Sequence, residues 1–85
     1  MSKRTFTKKQ GQYLAFIYAY TEINGLPPAE ADMRRYFRAT PPTVHDMITR
    51  LHESDLIARV PGKARTIEIR VDPNDLPLLR RPRRE

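Results

Sequence analysis

The run Thr40-Pro41-Pro42-Thr43 and the residues after it hold the side chains best suited to reading another molecule. Val44, Met47, Ile48 and Leu51 recur at helical spacing, and a threonine ahead of two prolines predicts a helix starting there. With those four side chains buried, Pro42, His45, Asp46, Thr49 and Glu53 point outward, flanked by Thr43 and Arg50. Short polar groups at the start of a helix are what the major groove accepts. Hydroxyls and imidazole meet base edges, methyl groups meet thymine, and the N-terminal amides meet a phosphate. Thr40, Pro42, Thr43, His45, Asp46 and Thr49 are therefore the candidate base-contacting residues. Asp46 repels phosphate unless it accepts from a cytosine amino group, so it costs affinity and adds selectivity. His45 and His52 lie on one helix with no cysteine in the chain and no carboxylate pair at ligand spacing, and they read as polar surface rather than metal ligands. No metal or cofactor is expected.

A second set of candidates is cationic. Arg34, Arg35 and Arg38 form a basic edge just before this helix, Arg50 flanks it, and Lys63 and Arg65 follow in a Pro-Gly turn. These six are the candidate contacts to the phosphate backbone. Arg59 and Arg70 adjoin the same turn, where a hairpin can touch the backbone or reach the minor groove; the alternative is a tip charged for solubility. Across the chain, 16 Lys and Arg stand against 10 Asp and Glu, for a formal charge of +6 and a pI near 10.2. That balance favours a polyanionic partner, here double-stranded DNA. Lys3, Arg4, Lys8 and Lys9 crowd one end, and Arg80, Arg81, Arg83 and Arg84 the other, as basic arms or as solvated tails.

The elements that must carry these groups follow from local signals. Thr7-Lys8-Lys9-Gln10 has capping-box form and opens a first helix, which buries Tyr13, Leu14, Phe16, Ile17 and Tyr20 and stops at Asn24-Gly25. Tyr13, Tyr18 and Tyr20 follow helix faces rather than a base-stacking platform, so their rings are expected to pack with the hydroxyls at the margin. Leu26-Pro27-Pro28 predicts an extended turn whose prolines preset the first turn of a second helix, running to about Phe37 with Ala31, Met33 and Phe37 inward. The third helix ends near Ser54. Leu56–Val60 and Thr66–Val71 read as strands joined by the turn 61–65, and Pro73, Pro77 and Pro82 predict an extended or disordered end.

The expected architecture is mainly α with a small β-hairpin: a three-helix winged helix-turn-helix. Residues 1–5 are expected as a basic arm, 6–71 as the domain and 72–85 as an extended basic tail. Eighty-five residues support one modest core and no deep catalytic cavity. No nucleophile–base pair, carboxylate dyad or glycine-rich phosphate loop is visible, so an enzyme is not expected. Nor does any apolar run suit a signal peptide or a membrane span, which predicts a cytoplasmic, nucleoid-associated protein. The alternative from another class is a winged-helix module that binds a partner protein without reading DNA.

From about Phe6 to Leu79 the chain resembles the N-terminal DNA-binding domain of the LexA repressor family. The resemblance rests on Phe6-Thr7-x-x-Gln10, on Gly25-Leu26-Pro27-Pro28, on Leu51 with Leu56-Ile57, and on Asp75-Leu76-Pro77-Leu78-Leu79 after the wing. It implies a transcription regulator whose third helix makes base contacts, at positions matching Thr40, Pro42, Thr43, His45 and Asp46. The turn after Phe37 is one residue shorter than the family pattern, and Pro42 and Thr43 replace its usual types, so a different operator is implied. The family's serine-lysine peptidase domain is not expected within these 85 residues, and self-cleavage is not carried over. Because one such module has a small footprint, pairing as a homodimer on DNA is expected.

Overall fold

A computed structural model describes residues 4–82. The basic residues Lys3, Arg83 and Arg84 lie outside the described residues. In chain order the elements are α1 (Lys8–Asn24), α2 (Glu30–Phe37), α3 (Pro41–Glu53), β1 (Ile57–Ala58), β2 (Glu68–Ile69) and a short 3₁₀ turn at Pro73–Asp75. β1 and β2 pair antiparallel, with Ile57 opposite Ile69 and Ala58 opposite Glu68. Three helices and a hairpin in this order make a winged helix-turn-helix.

The first helix starts as its sequence predicts. The Thr7 hydroxyl accepts from the Gln10 amide at 3.1 Å, and the Gln10 side chain accepts from the Thr7 amide at 2.9 Å. Gly25, at φ 76°, closes the helix with its amide on the Thr21 carbonyl. The second helix differs from expectation at its start. Pro27 and Pro28 precede it, Ala29 is the cap, and the Asp32 carboxylate reaches back to the Ala29 amide at 2.8 Å. The prolines stiffen the approach instead of forming the first turn.

Tyr13, Leu14, Ile17, Met33, Val44, Ile48, Leu51, Leu56 and Ile57 are buried and form one core beneath the helices and the wing. Ala31 and Phe37 are half-buried, as is Met47, while Asp32 is inside. Tyr13 stacks on Phe37 with ring centroids 3.9 Å apart and planes 12° from parallel, joining α1 to α2. Tyr13 and Tyr20 pack with the body, as their spacing predicts, whereas Tyr18 is exposed, and not all hydroxyls reach the margin. Tyr13 is fully buried and its hydroxyl finds no hydrogen-bond partner among the described residues. Burial accordingly raises its pKa above the usual tyrosine value.

The hairpin is shorter than its alternation predicts, with two paired residues on each strand rather than five and six. Side-chain and turn bonds replace the missing ladder. Val60-Pro61-Gly62-Lys63 forms a turn closed by the Lys63 amide on the Val60 carbonyl at 3.2 Å, with Gly62 at φ 75° as a Pro-Gly turn requires. Thr66 then spans the loop, its hydroxyl accepting from the Val60 amide at 2.9 Å and donating to the Lys63 carbonyl at 3.1 Å.

Beyond the wing the chain folds back over α1. Gln12 donates to the Leu78 carbonyl at 2.9 Å and accepts from the Arg80 amide at 2.8 Å, and the Tyr36 hydroxyl donates to the Arg80 carbonyl at 3.0 Å. Leu76 and Leu79 pack against the core. The stretch is extended after its short 3₁₀ turn, and these contacts fasten it through its backbone carbonyls and amide. Gly11 lies beneath the crossing, where a Cβ would sit 3.1 Å from both Phe6 and Pro77. A side chain here would require Phe6 or Pro77 to give way by a few tenths of an ångström.

Candidate nucleic-acid interface

α3 has two chemically distinct faces. Val44, Ile48 and Leu51 are fully buried with Met47 half-buried beside them, while Pro41, Pro42, Thr43, His45, Asp46 and Arg50 are exposed. Thr40 is the N-cap in extended geometry, but its hydroxyl does not cap an amide. It lies 2.8 Å from the Thr43 hydroxyl instead. Pro42 removes one of the two amides, N2 and N3, that such a cap would serve, and Thr40 pairs instead with the next hydroxyl along the face. Thr49 is half-buried and its hydroxyl donates to the His45 carbonyl at 3.0 Å, so it is the least available of the six.

The charges on this face are partly paired. Arg50 Nε lies 2.8 Å from an Asp46 carboxylate oxygen, one turn along the helix. Both are exposed, so the pair contributes little to stability, about 0.3–0.5 kcal/mol for a pair of this type. Its larger effect is electrostatic. Arg50 offsets the carboxylate that would otherwise repel phosphate, and Asp46 in turn holds Arg50. His45 Nδ1 stands 3.7 Å from a Glu30 carboxylate oxygen across the α2–α3 junction. No group of three or more metal-ligating side chains occurs among the described residues.

The turn between α2 and α3 depends on Arg38. It adopts φ 54°, ψ 43°, with its own amide and that of Ala39 both on the Arg34 carbonyl. This left-handed residue ends α2 and lets α3 follow within three residues. Arg34 and Arg38 are exposed at this turn, while Arg35 is drawn onto Asp32 at 2.6 Å.

The two turn cations of the wing have different surroundings. Lys63 is exposed. Arg65, expected on the phosphate backbone, turns its Nη1 toward the body, 3.2 Å from the Tyr20 hydroxyl, from the Pro27 carbonyl and from an Asp32 carboxylate oxygen, with its side chain still 41% exposed. Those acceptors are fixed by α1, the approach to α2 and α2, and they hold one guanidinium nitrogen against the body. Asp32, which its sequence context did not single out, is the hub of this cluster. The Ala29 amide, and then the Arg65 and Arg35 charges, hold its carboxyl below the usual carboxylate range. A signal was present in Ala29-x-x-Asp32, the acidic half of a capping box, but its partner on the wing is 33 residues away.

A comparable clip ties down Arg4. Its guanidinium donates to Asp55 at 2.8 Å and to the Arg70 carbonyl at 3.0 Å, while Arg70 Nε lies 3.0 Å from the other Asp55 oxygen. Asp55 occupies the left-handed position after α3, φ 60°, and the Leu56 amide reaches back to Leu51. Arg4 and Arg70 thus fasten the root of the wing.

Against known protein families, the LexA DNA-binding domain model matches residues 3–66, well over half of the chain. The chain belongs to the LexA DNA-binding domain family. The match runs from before α1 through the wing turn and takes in α3 with all its exposed residues. A LexA-type domain is a DNA-binding module of transcription regulation, and by itself it is not catalytic. No helix among the described residues is long and apolar enough to cross a membrane.

Proposed function

We propose that this LexA-type domain is a sequence-specific regulator of double-stranded DNA, placing α3 in the major groove and the wing on the sugar-phosphate backbone. The observation that carries this is the exposed start of α3, where Pro42, Thr43, His45 and Asp46 stand out from a helix whose opposite face is wholly committed to the core. In this reading Thr40, Pro42, Thr43, His45 and Asp46 read base edges, with Thr49 contributing little because its hydroxyl is spent on the helix. Arg34, Arg38 and Lys63 contact phosphates. Arg35 and Arg50 reach phosphates with the guanidinium N–H groups that Asp32 and Asp46 do not engage. A single module of this kind buries about 600–1,000 Å² on DNA, so useful selectivity calls for two copies on adjacent half-sites.

Site selection from random duplexes, followed by affinity measurements on the selected and on an unrelated duplex, tests this. Thr43→Ala and His45→Ala are expected to narrow the gap between the two duplexes, whereas Lys63→Ala weakens both alike. With about four phosphates neutralised, the logarithm of affinity falls against the logarithm of salt with a slope near −4. Equal losses on every duplex from the α3 variants would exclude direct readout, and an affinity independent of salt would exclude the backbone contacts. A wild-type domain that selects no sequence would favour a protein-interaction module.

A further inference from the structure

The wing has little of its own to hold it in place. Two paired residues on each strand are fewer than an isolated hairpin needs, so its orientation must be set by contacts with the body. At its root it is fixed by Arg70, whose amide bonds the Leu56 carbonyl at 2.8 Å and whose guanidinium meets Asp55. In the turn the corresponding tie is Arg65. Its backbone is left-handed, φ 59°, an unfavourable state for a residue with a side chain, and its Nη1 is directed at Tyr20, Pro27 and Asp32. Asp32 is only 8% exposed and already receives the Ala29 amide and Arg35, so it is a rigid anchor. Three separate parts of the body, the end of α1, the approach to α2 and the first turn of α2, converge on this one wing residue.

We propose that Asp32 and Arg65 are positioning residues for DNA binding: the Asp32–Arg65 latch holds the wing, and with it Lys63 two residues earlier, where wing and α3 engage one duplex together. This rests on the DNA reading above and adds to it a role for two residues that need not touch DNA. The physical reason is pre-organisation. A wing fixed before binding loses less conformational freedom on the duplex than one that must be ordered there. The latch also makes a distinctive claim about charge. Asp32 is an anion in a protein that binds a polyanion, so removing its charge should tighten binding if only long-range electrostatics matter. If the latch positions the wing, removal weakens binding.

The test measures affinity of the whole chain for a duplex recovered by selection and for an unrelated duplex, across a salt series, for wild type, Asp32→Asn, Arg65→Ala, the double variant and Lys63→Ala. Asparagine keeps an oxygen for the Ala29 amide, so α2 retains its cap, and circular dichroism verifies the fold of each variant. Should Arg65→Ala not fold, Arg65→Lys replaces it. Asp32→Asn and Arg65→Ala are each expected to weaken binding about tenfold, and the double variant no further, because both break one interaction. Their salt slopes stay at the wild-type value, while Lys63→Ala lowers the slope by about one. In the free protein, hydrogen exchange at the Lys63 amide accelerates in Asp32→Asn while that of α3 does not change, which a general loss of stability would not produce. Binding by Asp32→Asn that equals or exceeds wild type overturns the latch, as does an Arg65→Ala slope reduced by about one with additive losses. A wild-type domain that binds no duplex overturns the DNA reading together with the latch; wild-type binding that Asp32→Asn leaves intact overturns the latch alone.

Discussion

At the scale of single residues, the domain carries two polar groups in places where polarity has opposite consequences. The Tyr13 hydroxyl is buried without a hydrogen-bond partner among the described residues, so it bears a desolvation cost while its ring stacks on Phe37. Tyr13→Phe keeps the ring and removes the cost, and is expected to raise the unfolding free energy by about 1 kcal/mol in denaturant titration. Asp32, in contrast, is fully used. Its folded pKa lies below its unfolded value, so its contribution is complete above about pH 4, the ordinary carboxylate value, and is lost as pH falls through the folded value. Asp55, held down chiefly by the Arg4 hydrogen bond and further by Arg70, works in the same direction. Melting temperatures measured between neutral pH and about pH 3 are expected to fall at the acid end. Asp32→Asn should flatten that decline, and an unchanged decline would mean that other carboxylates carry it.

At the scale of elements, α2 and α3 are joined by a turn whose central residue is not the one local chemistry prefers. Arg38 adopts the left-handed conformation at which glycine is most at ease. A guanidinium at this point makes sense if it meets a phosphate, with the backbone bearing part of the cost. Arg38→Gly is therefore expected to leave stability within about 1 kcal/mol of wild type, the relief at φ 54° offsetting the greater freedom of the unfolded chain. The same variant should bind all duplexes more weakly, with a shallower salt slope. A large loss of stability instead would show that the Arg38 side chain packs where its exposure says it does not.

At the scale of the whole molecule, the ends of the described chain brace its body. Arg4 is clipped to Asp55 and Arg70, and the segment after the wing returns over α1 to bond Gln12 and Tyr36. Gln12→Ala removes both bonds of one side chain to that segment. Hydrogen exchange at the Arg80 amide is expected to accelerate by an order of magnitude or more, for the loss of roughly 1–2 kcal/mol of local stability. An unchanged rate would show that Leu76, Leu79 and the Tyr36 bond to Arg80 suffice to hold the segment in place.

Much of this architecture was legible along the chain because its signals are local. The capping box at Thr7, the Asn24-Gly25 stop, the proline-led start of α3 and its apolar stripe each act within about one or two turns of helix, a range over which residue type and spacing decide conformation. The exposed face of α3 follows from that stripe. What local pattern could not show are the partners that meet only when distant segments fold together. Alternation alone overstated the strands, because the turn bonds of Thr66 and the tie at Arg65 take the place of the ladder. Arg65 read as a cation of the wing turn until α1, the approach to α2 and α2 supplied its three acceptors, one of them Asp32, which local pattern did not single out. A helix start is a matter of neighbours in sequence, whereas the direction of a wing depends on charges and hydroxyls brought together across 33 residues and more of chain.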